Sequence, residues 1–96
     1  MAPSEVEGCL TEHPAVLEAG VIGREDAEGL TKPHAFVVLE DGFVPSEALG
    51  DELRRHVRER LAGYKVPHWM ELVPELPKTS TGKIQRFQLR RQQLKH

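Results

Sequence analysis

The chain is short of the residues that define several protein classes. It has one cysteine, Cys9, so no internal disulfide can form and a reducing cytoplasm is the expected compartment. One cysteine cannot build a cysteine-rich zinc site, and the histidines at 13, 34, 56, 68 and 96 show no paired metal spacing. No metal is therefore expected on the chain. No apolar run approaches the ~18 residues that a membrane-spanning helix needs. The opening Met1-Ala2-Pro3-Ser4-Glu5 has no basic region followed by an apolar run, so no secretory signal is read there. Repeats and low-complexity tracts are absent as well.

What is present suits one small soluble domain. The 96 residues are 39% hydrophobic and 29% charged, which is the balance of a globular chain. A chain this short buries only about 60–65% of its surface on folding, so its core is thin. It rarely encloses two ligand pockets of ~300–1,000 Å³ each. A catalytic motif here would belong to part of an enzyme.

Charge is distributed unevenly. Residues 1–75 carry all fifteen carboxylates and seven of the thirteen Lys and Arg, a balance of −8. Residues 76–96 carry Lys78, Lys83, Arg86, Arg90, Arg91 and Lys95 and no acid, a balance of +6. Two readings stay open: a solvated basic last helix, or an end that meets nucleotide phosphate or nucleic acid. Only Phe87 lies in this segment, so the interleaved aromatics of a base-stacking surface are missing.

The pattern along the chain predicts a compact α+β domain. Ser4-Glu5-Val6-Glu7 reads as a capping box. Val6, Cys9, Leu10 and His13 fall on one helical face before Pro14. Val16–Ile22, stopped by Gly23, and His34–Leu39 read as strands that pair antiparallel. Ser46 is the expected N-cap of the best helix, with Leu49, Leu53, Val57 and Leu61 as its apolar stripe and Gly63 as its stop. A third, edge-like strand is expected over His68–Val73, a brief strand at Ile84 and a last helix over Arg86–Leu94. The sum is a short antiparallel sheet flanked by about three helices.

The chemically informative stretch is Pro77-Lys78-Thr79-Ser80-Thr81-Gly82-Lys83-Ile84. Small hydroxyl residues and a glycine let a backbone approach a ligand closely, and the lysine offers an ammonium to a phosphate or carboxylate oxygen. It is not a Walker A loop. Pro77 stands where the first glycine belongs, and Ile84 stands where Ser or Thr would hold magnesium.

The string Leu76-Pro77-Lys78-Thr79-Ser80-Thr81-Gly82-Lys83-Ile84-Gln85-Arg86 resembles the last conserved motif of the AMP-forming acyl-CoA synthetases, members of the adenylate-forming superfamily. Other segments are similar to that family in the same order. They are Ala2-Pro3-Ser4-Glu5-Val6-Glu7, His13-Pro14-Ala15-Val16 with Glu18–Gly23, Ala35-Phe36-Val37-Val38, and Tyr64-Lys65-Val66-Pro67. The resemblance implies that residues 1–96 are the small C-terminal lid of such an enzyme. It implies a reaction in two halves: a carboxylate and ATP give acyl-adenylate and pyrophosphate, then the lid reorients and the acyl group passes to the thiol of coenzyme A (CoA). Lys83 is then the adenylation lysine, bridging the carboxylate and the α-phosphate, with Thr79, Ser80, Thr81 and Gly82 forming its loop.

Arg58, Lys65 and Arg86 are candidates for the CoA phosphates, against readings as helix-dipole, solvent-facing and carboxylate-packing residues. ATP and CoA are substrates. Magnesium is expected with ATP, with no ligand on this chain. The implied partner is the enzyme's own N-terminal domain. A lysine acetyltransferase acting on Lys83 would remove the charge that the first half-reaction needs. No nucleic acid and no membrane are expected of such an enzyme; the alternative is a stand-alone module that binds nucleic acid or an acidic partner through the basic C-terminal helix.

The family's hinge residue and large N-terminal domain are not in the sequence. The expectation is therefore an excised lid, by design or by proteolysis, inactive on its own, with Met1 an introduced start. Gly29–Pro33 and Gly82–Arg90 resemble benzoate-CoA ligases more than acetyl- or long-chain enzymes. Gln85 stands where peptide-synthetase domains usually have Asp. The implied acid is aromatic, such as benzoate.

Overall fold

A computed structural model describes residues 3–78, 80–82, 85 and 88. In chain order it has helix α1 (Pro3–Thr11), strand β1 (Val16–Glu25), strand β2 (Thr31–Leu39) and helix α2 (Glu47–Arg60). A 3-10 turn (Gly63–Lys65) and strand β3 (Trp69–Leu72) follow. The α+β class expected from the sequence is what is found. The brief strand at Ile84 and, apart from Gln88, the last helix fall outside the described residues.

The sheet runs β1-β2-β3 with β2 in the centre. β1 and β2 pair antiparallel as expected, from Val16↔Leu39 to Glu25↔Thr31, with a bulge between Val16 and Glu18. β2 and β3 pair parallel, His34↔Trp69 to Val37↔Leu72. The sheet is thus mixed, where an antiparallel one was expected. A parallel neighbour needs a crossover between the strands, and α2 lies in that connection.

Both long strands extend past their expected ends. Gly23 does not stop β1, because it sits opposite Pro33 within the ladder. Pro33 has no N–H to give, but its carbonyl accepts from the His68 N–H at 2.9 Å and leads the chain into β3.

The helices form as their patterns suggest, with different ends. Proline suits the first helical turn, where an N–H would go unbonded, and α1 begins at Pro3, so Ser4 lies inside the helix. The expected capping box is therefore not the start signal. Glu7 turns to the sheet instead, its carboxylate accepting the Val21 N–H at 2.7 Å. Ser46 does cap α2, its hydroxyl accepting the Leu49 N–H at 3.1 Å. That helix stops at Leu61, which is extended, and Gly63 opens the following turn rather than ending the helix.

Burial explains the order. β2 is covered on both faces, so its apolar run is continuous rather than alternating. On one face, Val6 and Leu10 of α1 and Leu53 and Val57 of α2 pack on Val21, Ala35 and Val37. On the other, Ile22, Phe36 and Val38 pack with Leu76. No helix among the described residues is long and apolar enough to cross a membrane.

His34 shares the second face. It is 2% exposed, stacks on Phe36 at 4.3 Å, and its Nε2 lies 2.7 Å from the Glu71 carboxylate. Its Nδ1 is buried without a hydrogen-bond partner. Burial holds its pKa below the usual value; Glu71 opposes this, and nearby Arg24 adds to it.

Two outcomes follow. Leu53→Ala should cost about 2–5 kcal/mol in denaturant unfolding, whereas Val44→Ala, at a position 77% exposed, should stay within about 0.5 kcal/mol. For His34, the unfolded state takes the proton first as pH falls, so stability is complete above its ordinary pKa of 6.5 and declines below it. Thermal melts between pH 7 and pH 5 should therefore show a shallower decline for His34→Gln than for the parent chain; equal slopes would show that His34 is not the titrating group.

Candidate catalytic loop

The loop singled out in the sequence is entered through Leu76, which is buried against the second face of the sheet. Lys78 follows, and its ammonium forms an ion pair with the Glu18 carboxylate of β1. The Pro77 carbonyl accepts the Gln85 N–H at 2.8 Å. This bond closes the stem across the segment that carries the motif. Between these points Ser80, Thr81 and Gly82 are exposed. Gly82 has φ +85°, a left-handed conformation that costs a side-chain-bearing residue. A Cβ there would meet no atom within 4 Å, so conformation, not space, selects glycine. Thr79, Lys83 and Arg86 lie outside the described residues.

The other basic candidates sit near the end of α2. Arg58 is exposed on its last turn and makes no ion pair among the described residues. Lys65, in the 3-10 turn, donates to both oxygens of Glu5 at 2.8 and 2.9 Å, tying that turn to α1. Of the basic tail, Lys78 is the described member, and it is paired rather than presented as a bare cation.

Two groupings were not visible in the sequence. A cleft of about 320 Å³ is lined by Arg24, His34, Arg54, His68, Trp69 and Glu71, among others. The Arg24 guanidinium lies 4.4 Å from the centre of the Trp69 ring, a cation–π arrangement. Arg24 and Trp69 meet only through the three-strand register, so no local spacing could reveal them. The second grouping is Cys9, Glu12 and His56, whose potential ligand atoms lie within 4.8 Å of one another. Cys9 lies on the helical face read from the sequence, and it is buried. Burial and the Glu12 carboxylate push its thiol pKa up, partly offset by Arg60, so the neutral thiol is favoured. His56 Nε2 lies 2.7 Å from the Cys9 carbonyl and so donates to it, leaving this histidine engaged within the fold.

Comparison with known proteins agrees with the resemblance read from the motif. Residues 5–83 match the family described as AMP-binding enzyme C-terminal domain. A benzoate–CoA ligase of Thauera aromatica is 56% identical over 94% of this chain and 17% of its own length. Two solved structures superpose closely. An anthranilate CoA ligase in complex with anthranoyl-AMP has TM-score 0.90, with 52% identity over 96% of this chain and 18% of that one. A benzoate CoA ligase from Burkholderia xenovorans has TM-score 0.86, with 54% identity over 94% of this chain and 18% of that one. The chain thus spans less than a fifth of the relatives it matches. On the family match and these identities, the chain belongs to the C-terminal domains of AMP-binding enzymes.

Proposed function

We propose that this domain is the catalytic lid of an ATP-dependent, AMP-forming acyl-CoA ligase. The whole enzyme would convert a carboxylate, ATP and CoA into acyl-CoA, AMP and pyrophosphate. The observation that carries this reading is the Leu76–Arg86 motif on a closed, anchored stem, in a chain 56% identical to a benzoate–CoA ligase. An aromatic acid such as benzoate is the proposed substrate, supported by relatives whose names specify benzoate and anthranilate.

Lys83 would supply the chemistry of the first half-reaction. An ammonium between the attacking carboxylate and the α-phosphate holds two anions together and stabilises charge as the bond forms. Thr79, Ser80, Thr81 and Gly82 would let the backbone approach the nucleotide, since their small side chains leave it accessible. The adenine, ribose and acyl pockets belong to the N-terminal partner domain, as does any hold on the magnesium that accompanies ATP. Acetylation of Lys83 by a lysine acetyltransferase would impose the loss expected from a neutral residue. The cytoplasm suits such an enzyme and its single thiol.

In the full-length enzyme, Lys83→Ala should lower acyl-adenylate formation from benzoate by about a hundredfold or more. Turnover of supplied benzoyl-adenylate with CoA should change little. Equal loss in both halves would overturn the role of Lys83. Release of pyrophosphate by the unmodified enzyme with acetate but not with benzoate would overturn the aromatic substrate.

Of the candidates for the CoA phosphates, Arg58 carries the reading best, because the Lys65 charge is already met by Glu5. Arg58→Ala should weaken apparent CoA affinity about two- to fivefold, the scale of one exposed charge contact, with the benzoate dependence unchanged. An unchanged apparent affinity for CoA would remove Arg58 from the site.

A further inference from the structure

The motif contains two lysines five residues apart, and both could be taken for phosphate ligands. The structure describes the first of them. The Lys78 ammonium is engaged by Glu18, which lies on β1 directly after the bulge that follows Val16. Both partners are partly exposed, at 39% and 25% for Lys78 and Glu18. Three tethers then hold the stem. Leu76 is buried against Ile22, Phe36 and Val38, the Pro77 carbonyl is bonded to the Gln85 N–H, and Lys78 is held by Glu18. Beyond them, Ser80–Gly82 are exposed. Lys83 follows Lys78 by five residues and precedes Gln85 by two, so in sequence it falls between the two ends of this stem.

We propose that Glu18 and Lys78 are positioning residues: their ion pair braces the stem so that Lys83 reaches its place in the adenylation half-reaction. This rests on the proposed role of Lys83. Two magnitudes set the signature. An exposed ion pair contributes only about 0–1 kcal/mol to stability, so its loss leaves the fold standing. A misplacement of about 1 Å at a reacting group can cost about a hundredfold in rate. The brace therefore acts on rate far more than on stability. It also pairs the Lys78 charge within the domain.

The test uses the full-length enzyme with Glu18→Gln, Lys78→Met and the exchanged pair Glu18→Lys with Lys78→Glu. Each single variant should melt as the parent does. Each should lose about tenfold or more in acyl-adenylate formation, through kcat rather than the KM for ATP. Transfer from supplied acyl-adenylate to CoA should stay within about twofold. The exchanged pair should recover most of the lost rate, because opposite charges still meet across the stem. The proposal is overturned if the single variants form adenylate at the parent rate, if both half-reactions fall equally, or if the exchanged pair is no better than Lys78→Met. The last outcome would mean that Lys78 itself touches the nucleotide. Lys83→Ala in the same assays separates the two ideas. If it spares adenylation, the role of Lys83 fails. If it abolishes adenylation while Glu18→Gln does not, only the brace fails.

Discussion

The domain depends on one constraint: β2 must be buried on both faces. A strand in that position needs a layer above, a layer below and a neighbour on each side. Each surrounding element meets one of those needs. α1 and α2 close one face, and Leu76 with Val73 helps close the other. β1 and β3 satisfy its backbone on the two sides. The candidate loop is attached to this arrangement, because its entry residue Leu76 contributes to the second apolar layer. Folding and loop placement therefore draw on the same contacts.

Legibility in the sequence followed the range of the interaction. The helix faces were visible because Val6, Cys9 and Leu10, and Leu53 and Val57, recur at helical spacing within a few residues. The Ser46 cap was visible for the same reason. Gly23 looked like a terminator because glycine disfavours strands when considered alone, but its partner Pro33 lies ten residues away and the ladder continues through both. The parallel pairing of β3 depends on which way the chain returns after α2, and no short pattern encodes that. Glu7 had a plausible local partner in Ser4 and a better distant one in the amide of Val21.

The candidate site divides in the same way. The motif was legible because its residues are contiguous, and chemistry could be argued from their types. Its support was not. Glu18 and Lys78 are sixty residues apart, and neither is unusual where it stands. The Arg24–Trp69 contact and the Cys9–Glu12–His56 grouping also arise only when strands or helices are brought together. A contiguous motif can thus be read from a sequence while the contacts that hold its stem stay hidden. A single ammonium on a loop gains its value from being held at a distance fixed by a stiffer body.

The bond from Glu7 to the Val21 amide has a consequence beyond joining α1 to the sheet. Among the described residues β1 is an edge strand, and outward amides on such strands invite pairing with another chain. A helix-borne carboxylate occupying one of them removes a donor from that template and sets a negative charge beside it. Glu7 thereby discourages intermolecular strand addition at this edge.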